Sequence, residues 1–264
     1  MEILYEDNHL IIVNKAVGEI VQGDKTGDEP LSETLKHYIK EKYNKSGAVF
    51  CGVTHRLDRP VSGVVVFART SKALERMNKL FAGHNDIRKS YWAIVCGSPH
   101  SPSGTLQHWL VRNEKQNKSY AYDREKPGAK NAILDYEVIA CGERYTLLNI
   151  ILHTGRHHQI RCQLAAAGMP IKGDLKYGAP RSNPDGGISL HARSIEFIHP
   201  VRKETVKVIA DPPTNDIWQK LLQNIPSEDL ADTNPARRLP EPCPNPARRL
   251  PEGCPKAART LPEG

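Results

Sequence analysis

Short apolar runs alternate with polar segments near the start of the chain. Residues 3–5 and 10–13 are apolar and flank the polar stretch 6–8, which predicts two strands joined by a turn. Residues 64–68 form an uninterrupted apolar run that follows a Pro and a Gly, so they predict a buried strand.

Other segments have the apolar spacing of helices. Residues 31–43 and 71–83 show it, and in the second segment Ser71 can cap the start and Gly83 the end. Further helices are predicted over residues 160–168, where Gly168 ends the pattern, and over 213–225. Additional strands are predicted at residues 89–97, 133–139, 145–152 and 188–197.

Residues 112–130 form a polar segment with six Lys or Arg, three acids and two interleaved tyrosines, Tyr120 and Tyr122. One interpretation is a solvated loop. The alternative is an arm that faces nucleic acid, in which cations meet phosphates and tyrosines stack on bases. The sequence leaves both interpretations open.

The C-terminal segment differs in composition from the rest. Residues 226–264 hold nine of the 20 prolines and an eleven-residue repeat, so we expect a disordered or polyproline-like tail after a domain spanning residues 1–225. The tail has six basic and six acidic residues, and the net charge of +7 therefore belongs to residues 1–225. That charge makes a polyanionic partner plausible.

The six cysteines form no CxxC motif, which favours a reducing compartment over a disulfide framework. The N-terminus is acidic and does not resemble a signal peptide. No apolar run approaches the ~20 residues needed to cross a bilayer. We therefore expect a cytoplasmic protein that does not enter a membrane.

One stretch concentrates candidate chemistry. In residues 55–63, HRLDRPVSG, Asp58 lies between two arginines and next to the predicted buried strand, at the rim of a sheet. The nearby cations favour an ionised carboxylate. The simplest alternative is that Asp58 is a turn-capping or salt-bridging residue.

Residues 153–168, HTGRHHQIRCQLAAAG, place three histidines and two arginines at the entry of a predicted helix. Zinc binding by His153, His157 and His158 is not favoured, because no acid or Cys stands at a useful spacing. Amide donors and cations at a helix start favour anions instead. We expect no metal site.

Five blocks in order resemble the RluA-type pseudouridine synthases, over residues 1 to about 210. The blocks are YEDNHLIIVNK, HRLDRPVSGVVVFA, KSYWAIVCG, HTGRHHQIRCQLAAAGMPIKGDLKYG and LHARSIEFIHP. The resemblance implies an α+β fold with a mixed, mostly antiparallel central sheet in two halves, flanking helices and a catalytic cleft. It also implies the conversion of uridine in structured RNA to pseudouridine.

The resemblance assigns four site residues. Asp58 matches the family's essential aspartate and Arg161 the arginine that pairs with it. Tyr91 matches the tyrosine that packs on the target base, and Arg56 the arginine associated with the space left by the flipped base. Val61 and His157 replace residues that are commonly Thr. The small RNA-binding domain that precedes this block in many relatives is expected to be absent.

The implied reaction needs neither a redox step nor a cofactor. It needs a nucleophile or charge stabiliser and a dry pocket that retains the freed uracil. We expect a monomeric enzyme whose partner is rRNA or tRNA. Two alternatives remain: a non-catalytic RNA-binding or assembly protein with the same fold, and a metal-dependent hydrolase that uses the three histidines with Asp58.

Overall fold

A computed structural model describes residues 1–83, 86–223 and 225. These residues form two compact units. The first comprises Met1–Ser90 and His191–Pro213, and the second comprises Tyr91–Leu190 with the described residues from Thr214 onward. The predicted tail, residues 226–264, lies outside the described residues.

The first unit is built on a sheet in which one pair of strands is parallel. Its strands are β1 (Glu2–Glu6), β2 (Leu10–Lys15), β3 (Gly52–Val53), β4 (Ser62–Ala68), β10 (Leu190–Ile198) and β11 (Thr205–Ile209). The order is β1-β2-β4-β10-β11, and β3 also pairs with β4. β4 and β10 are parallel, whereas the other pairs in this unit are antiparallel.

Helices cover both faces of this sheet. They are α1 (Leu31–Lys42) and α2 (Ser71–Gly83). The apolar side of α2 packs through Ala73 and Met77 on one side of β4, and α1 packs through Leu31 and Leu35 on the other. Because both faces are buried, all seven residues of β4 are buried, which is why its sequence is apolar without alternation.

The second unit contains five strands, three of which are longer than any strand of the first unit. Its strands are β5 (Ile87–Cys96), which begins in the first unit, β6 (Ser103–Asn113), β7 (Lys118–Tyr122), β8 (Lys130–Cys141) and β9 (Tyr145–Leu152). Their order is β5-β9-β8-β6-β7, and the pairings of β8 with β9, β6 with β8 and β6 with β7 are antiparallel. The helices of this unit are α3 (Gln159–Ala166) and α4 (Asp216–Leu222).

The structure confirms the predicted fold class and corrects several details. The hydroxyl of Thr70, not Ser71, accepts a hydrogen bond from Ala73 at the start of α2, at 3.1 Å. The prediction that Gly168 ends α3 is confirmed: Gly168 has φ +79° and its N–H donates to Ala165. The pattern did not predict β6 or β7, and the interpretation of residues 112–130 as a solvated loop is wrong at residues 112–113 and 118–122, which lie in these strands.

No described helix has the length and apolarity that would let it cross a membrane.

The first unit contains a buried histidine, His191, whose hydrogen-bond partners define its tautomer. The Nε2 of His191 lies 3.0 Å from the backbone oxygen of Ala210, which can only accept, so Nε2 carries the proton. Its Nδ1 then accepts from the hydroxyl of Ser62 at 2.9 Å. Burial lowers the pKa of His191 to about 4, so the ring is neutral in the folded state.

We predict that His191 makes folding sensitive to acid. Since its pKa is about 4 when folded and about 6.5 when unfolded, the unfolded chain binds more protons between these values. Stability is therefore lost as pH falls from 6.5 to 4, by up to about 1.4 kcal/mol per pH unit from this residue. Urea unfolding at several pH values across this range gives the free energy of unfolding as a function of pH. That free energy should change less steeply with pH for His191→Gln than for the native chain; equal pH dependence would contradict the prediction.

Candidate active site

Asp58 lies in a tight turn that leads directly into β4. The N–H of Val61 donates to the backbone oxygen of Asp58 at 3.0 Å, which closes the turn immediately before the chain enters the buried strand β4. Asp58 itself is half-buried. The structure thus places this carboxylate at the rim of the sheet, as the sequence predicted.

A buried lysine stabilises the turn by binding its backbone oxygens. The Nζ of Lys15, at the end of β2, donates to three backbone oxygens, among them those of Arg59 at 3.1 Å and Val61 at 2.6 Å. Burial lowers the pKa of Lys15 to about 8, while the negative charges of Glu19 and Asp58 act in the opposite direction. A cation therefore anchors the backbone on the C-terminal side of Asp58.

Arg59 ties the same turn to a surface loop. Its Nη2 donates to the hydroxyl of Thr26 at 2.6 Å and to the carboxylate of Asp28 at 2.7 Å, and lies 3.6 Å from the carboxylate of Asp24. Of the two arginines beside Asp58 in the sequence, this one is engaged in holding the loop. The other, Arg56, is exposed.

Two side chains that precede Asp58 form hydrogen bonds with the backbone of β4. The hydroxyl of Thr54 donates to the backbone oxygen of Val66 at 2.7 Å, and the N–H of Val66 donates to Nε2 of His55 at 3.1 Å. The His55 ring also packs against Phe81, with centroids 4.5 Å apart. The motif histidine thus takes the place of a strand partner, and burial, with a smaller effect of the Lys89 charge, lowers its pKa to about 3.

The Ser-Gly pair after the turn is fixed by contact with β10. Ser62 and Gly63 pair with His191 and Ala192 in the parallel register. Gly63 has φ +115°, and a Cβ there would lie 2.3 Å from the backbone oxygen of Ala192. Both the dihedral angle and the space therefore require glycine at this position.

The second unit holds the other two predicted site residues. Tyr91, on β5, is half-buried. Arg161 lies in the first turns of α3 and is almost completely buried. Its Nε and Nη2 donate to the two oxygens of Asp174, at 2.7 Å and 2.9 Å, in a bidentate pair.

The predicted site residues are therefore distributed over both units. Asp58 and Arg56 share one loop of the first unit, whereas Tyr91 and Arg161 belong to the second. The pairing of Arg161 with Asp58 stays a prediction. Within its own unit, Arg161 is paired with Asp174.

Sequence reasoning missed two residues of this arrangement. Asp174 follows a glycine and precedes Leu175-Lys176-Tyr177, and this local pattern does not identify a partner for a buried arginine. Lys15 follows the apolar run of residues 10–13, and nothing in its local pattern distinguishes a buried lysine from an exposed one. Lys15 contacts Arg59 and Val61, and Asp174 contacts Arg161; all of these partners are at least 13 residues away along the chain.

The three histidines near α3 have hydrogen-bond partners that differ from one another. His153 lies 2.5 Å from Asp135, His157 lies 2.9 Å from the hydroxyl of Ser119, and His158 lies 2.9 Å from the hydroxyl of Tyr177. Within the described part of the chain, no group of three or more potential ligand side chains could hold a metal ion.

Comparison with known proteins gives this geometry its context. Residues 9–166 match the model of the RNA pseudouridylate synthase family, and this match contains the Asp58 turn, Tyr91 and Arg161. The chain belongs to that family. It is an RNA pseudouridine synthase, an isomerase, and the resemblance to the RluA-type enzymes is confirmed.

Two relatives are similar over most of their lengths. The tRNA pseudouridine synthase C of Haemophilus influenzae is 30% identical over 251 residues, which cover 87% of this chain and 100% of the relative. The ribosomal large subunit pseudouridine synthase D of Zymomonas mobilis is 31% identical over 223 residues, 81% of this chain and 69% of the relative.

A solved structure supports the fold. The human RNA pseudouridylate synthase domain containing 4 superposes with a TM-score of 0.69 at 23% identity, over 84% of this chain and 92% of that chain. The mixed, mostly antiparallel sheet of this synthase is thus the family's fold.

We predict that Gly63→Ala destabilises the synthase and disturbs the Asp58 turn. A Cβ at this position would meet the Ala192 backbone, and overpacking of this kind costs about 1–3 kcal/mol beyond the strain of a positive φ. Gly128→Ala is the matched control, because Gly128 has φ +75° but nothing within 4 Å of the added Cβ. Urea unfolding should show the larger loss for Gly63→Ala; equal losses would show that the β10 contact is unimportant.

Proposed function

We propose that this synthase isomerises specific uridines in structured RNA, either rRNA or tRNA, with Asp58 as the catalytic carboxylate. The observation that carries the proposal is the placement of Asp58 in a turn held by Lys15, Arg59 and the start of β4. A carboxylate on such a rigid support is preorganised for chemistry. The RNA classes follow from the names of the two relatives.

The reaction breaks the bond between N1 of uracil and C1′ of ribose and forms a bond from C5 to C1′. C5 releases its proton and N1 takes up a proton from solvent, so the product is an isomer of the substrate and neither an oxidant nor a reductant is needed. Asp58 supplies the negative charge that stabilises or captures the electron-poor intermediate. The released uracil must remain in a pocket that excludes water.

The other three residues take supporting roles in this proposal. Arg161 pairs with Asp58 and keeps it ionised and oriented through charge-assisted hydrogen bonds. Tyr91, half-buried on β5, packs on the target base. Arg56 is exposed and can occupy the space that the flipped base leaves. Flipping costs a few kcal/mol, which stacking and pocket contacts offset.

The β6–β7 hairpin provides a surface that suits RNA. We use the name basic hairpin for residues 112–130. Tyr120 and Tyr122 lie on the same side of β7, and the intervening Ala121 packs with the core beneath α3. The Nζ of Lys118 lies 5.5 Å from the Tyr120 ring centre, and the Nζ of Lys126 lies 4.1 Å from that of Tyr122. Cations and aromatic faces are thus combined on one surface.

The sequence left open a second candidate, a non-catalytic RNA-binding protein with this fold, which membership of the synthase family does not favour. It would need the basic hairpin and the fold, but it would not need a carboxylate at position 58. The two candidates therefore differ in what happens when Asp58 loses its charge and keeps its shape.

We predict that Asp58→Asn folds and binds RNA but forms no pseudouridine. The assay is tritium release from RNA labelled with [5-³H]uridine, because C5 loses its hydrogen in the reaction. Asp185→Asn is the matched control: Asp185 is an exposed turn residue whose side chain accepts from Gly187 at 2.9 Å, a role that Asn fills equally well. Tritium release by Asp58→Asn at the native rate would overturn the proposed mechanism.

We predict that the basic hairpin contributes to the salt dependence of RNA binding. Replacing Lys115, Lys118 and Arg124 by Gln should reduce the slope of log K against log salt by roughly 2, since each lost phosphate contact in a single strand removes about 0.7. The control replaces three exposed lysines on helices of the first unit, Lys40, Lys72 and Lys79. Equal slopes for both variants would show that the hairpin does not contact RNA.

A further inference from the structure

The guanidinium group of Arg161 is held on three sides. Asp174 accepts two parallel hydrogen bonds, from Nε at 2.7 Å and from Nη2 at 2.9 Å. The third nitrogen, Nη1, lies 3.1 Å from Nε2 of His158. The side chains of Arg161 and Asp174 are 7% and 1% exposed, respectively. These contacts define both the plane and the rotation of the guanidinium group.

Asp174 is itself fixed by its backbone. Its N–H donates to Ile171, and its backbone oxygen accepts from Tyr177 and Ala179, all at 3.0 Å. The preceding residue, Gly173, has φ +90°, and a Cβ there would lie 2.8 Å from a backbone oxygen. This tight turn leaves the Asp174 carboxylate little freedom.

His158 completes the arrangement in a definite tautomer. Since all Arg161 nitrogens donate, Nε2 of His158 accepts, and its Nδ1 carries the proton. That proton is donated to the hydroxyl of Tyr177 at 2.9 Å, and the same hydroxyl accepts from the N–H of Ser119 at 2.8 Å. The Tyr177 ring lies 5.1 Å from Cζ of Arg161. Strand β7 is thereby linked to the arginine through hydrogen bonds.

We infer that Asp174 is a positioning residue for the isomerisation, which acts by fixing Arg161 in the orientation that the reaction needs. The inference rests on the proposed role of Arg161 in supporting Asp58. A bidentate carboxylate sets the plane of a guanidinium group, which a single hydrogen bond does not. It also balances the buried positive charge, so that Arg161 stays in place before RNA binds.

The test is a double-mutant cycle with Asp174→Asn and Arg161→Met. Single-turnover tritium release, RNA affinity and thermal unfolding are measured for the native enzyme, both single variants and the double variant, below the lowest unfolding temperature. The probe is total RNA labelled with [5-³H]uridine from cells that lack the gene. We expect Asp174→Asn to lower the rate at least tenfold and to change RNA affinity less than twofold.

Two further results are expected from the cycle. The double variant should be no slower than Arg161→Met alone, because Asp174 acts through Arg161. It should also unfold at a higher temperature than Asp174→Asn, since the uncompensated buried charge is gone. A rate that falls further in the double variant, or a native rate in Asp174→Asn, would overturn the inference.

A control separates positioning from general destabilisation. Glu6 accepts from Arg69 at 3.0 Å in the first unit, and both side chains are almost buried, at 9% and 7% exposure. Glu6→Gln should lower the unfolding temperature and leave the single-turnover rate of the folded enzyme unchanged. Loss of rate in this control would attribute the Asp174→Asn effect to destabilisation and overturn the inference.

The outcomes also distinguish the inference from the proposed function. A native rate in Arg161→Met would refute the role of Arg161 and the inference with it. A slow Arg161→Met beside a native Asp174→Asn would refute the inference alone. Absence of tritium release by the native enzyme would refute the proposed function, and the positioning role would fall with it.

Discussion

The close approach of β4 and β10 is the constraint on which the first unit depends. The two strands are parallel and are joined at the start of β4, where Gly63 meets the backbone of Ala192. The buried chain of hydrogen bonds from Ser62 through His191 to Ala210 fixes the same point. The turn that carries Asp58 ends immediately before it, so strand pairing determines where the Asp58 carboxylate lies.

The second unit places a buried charge where stability alone would not require it. An ion pair such as that of Arg161 and Asp174 gains less than its Coulomb energy suggests, because both groups lose their hydration. Apolar residues of similar size would stabilise such a core as well. The bidentate geometry and the definite tautomer of His158 fix the orientation of the Arg161 guanidinium group.

Net charge and aromatic side chains act over different distances in this enzyme. The net charge of +7 attracts RNA over distances comparable with the Debye length, without selecting a uridine. The basic hairpin adds aromatic faces to that charge at short range.

Much of the fold could be predicted from the sequence because burial leaves a strong pattern. The apolar runs at β2 and β4 and the spacing in α1 and α2 predicted those elements, and the motif around Asp58 predicted the family. β6 and β7 escaped because their exposed positions are polar: in β6 Ser103, Thr105 and Gln107 are exposed and only Leu110 is fully buried. Strands with one open face carry a weaker signal than strands buried on both.

The sequence by itself thus determined the family, through residue types and their order in HRLD and HQIR. The tertiary structure decided which groups hold those residues. Lys15 donates to the backbone of Arg59, which lies 44 residues further along the chain. Asp174 binds Arg161, which lies 13 residues before it. Hydrogen bonds and ion pairs depend on distance in space, and a local pattern of hydrophobic and polar positions does not specify which distant residue completes them.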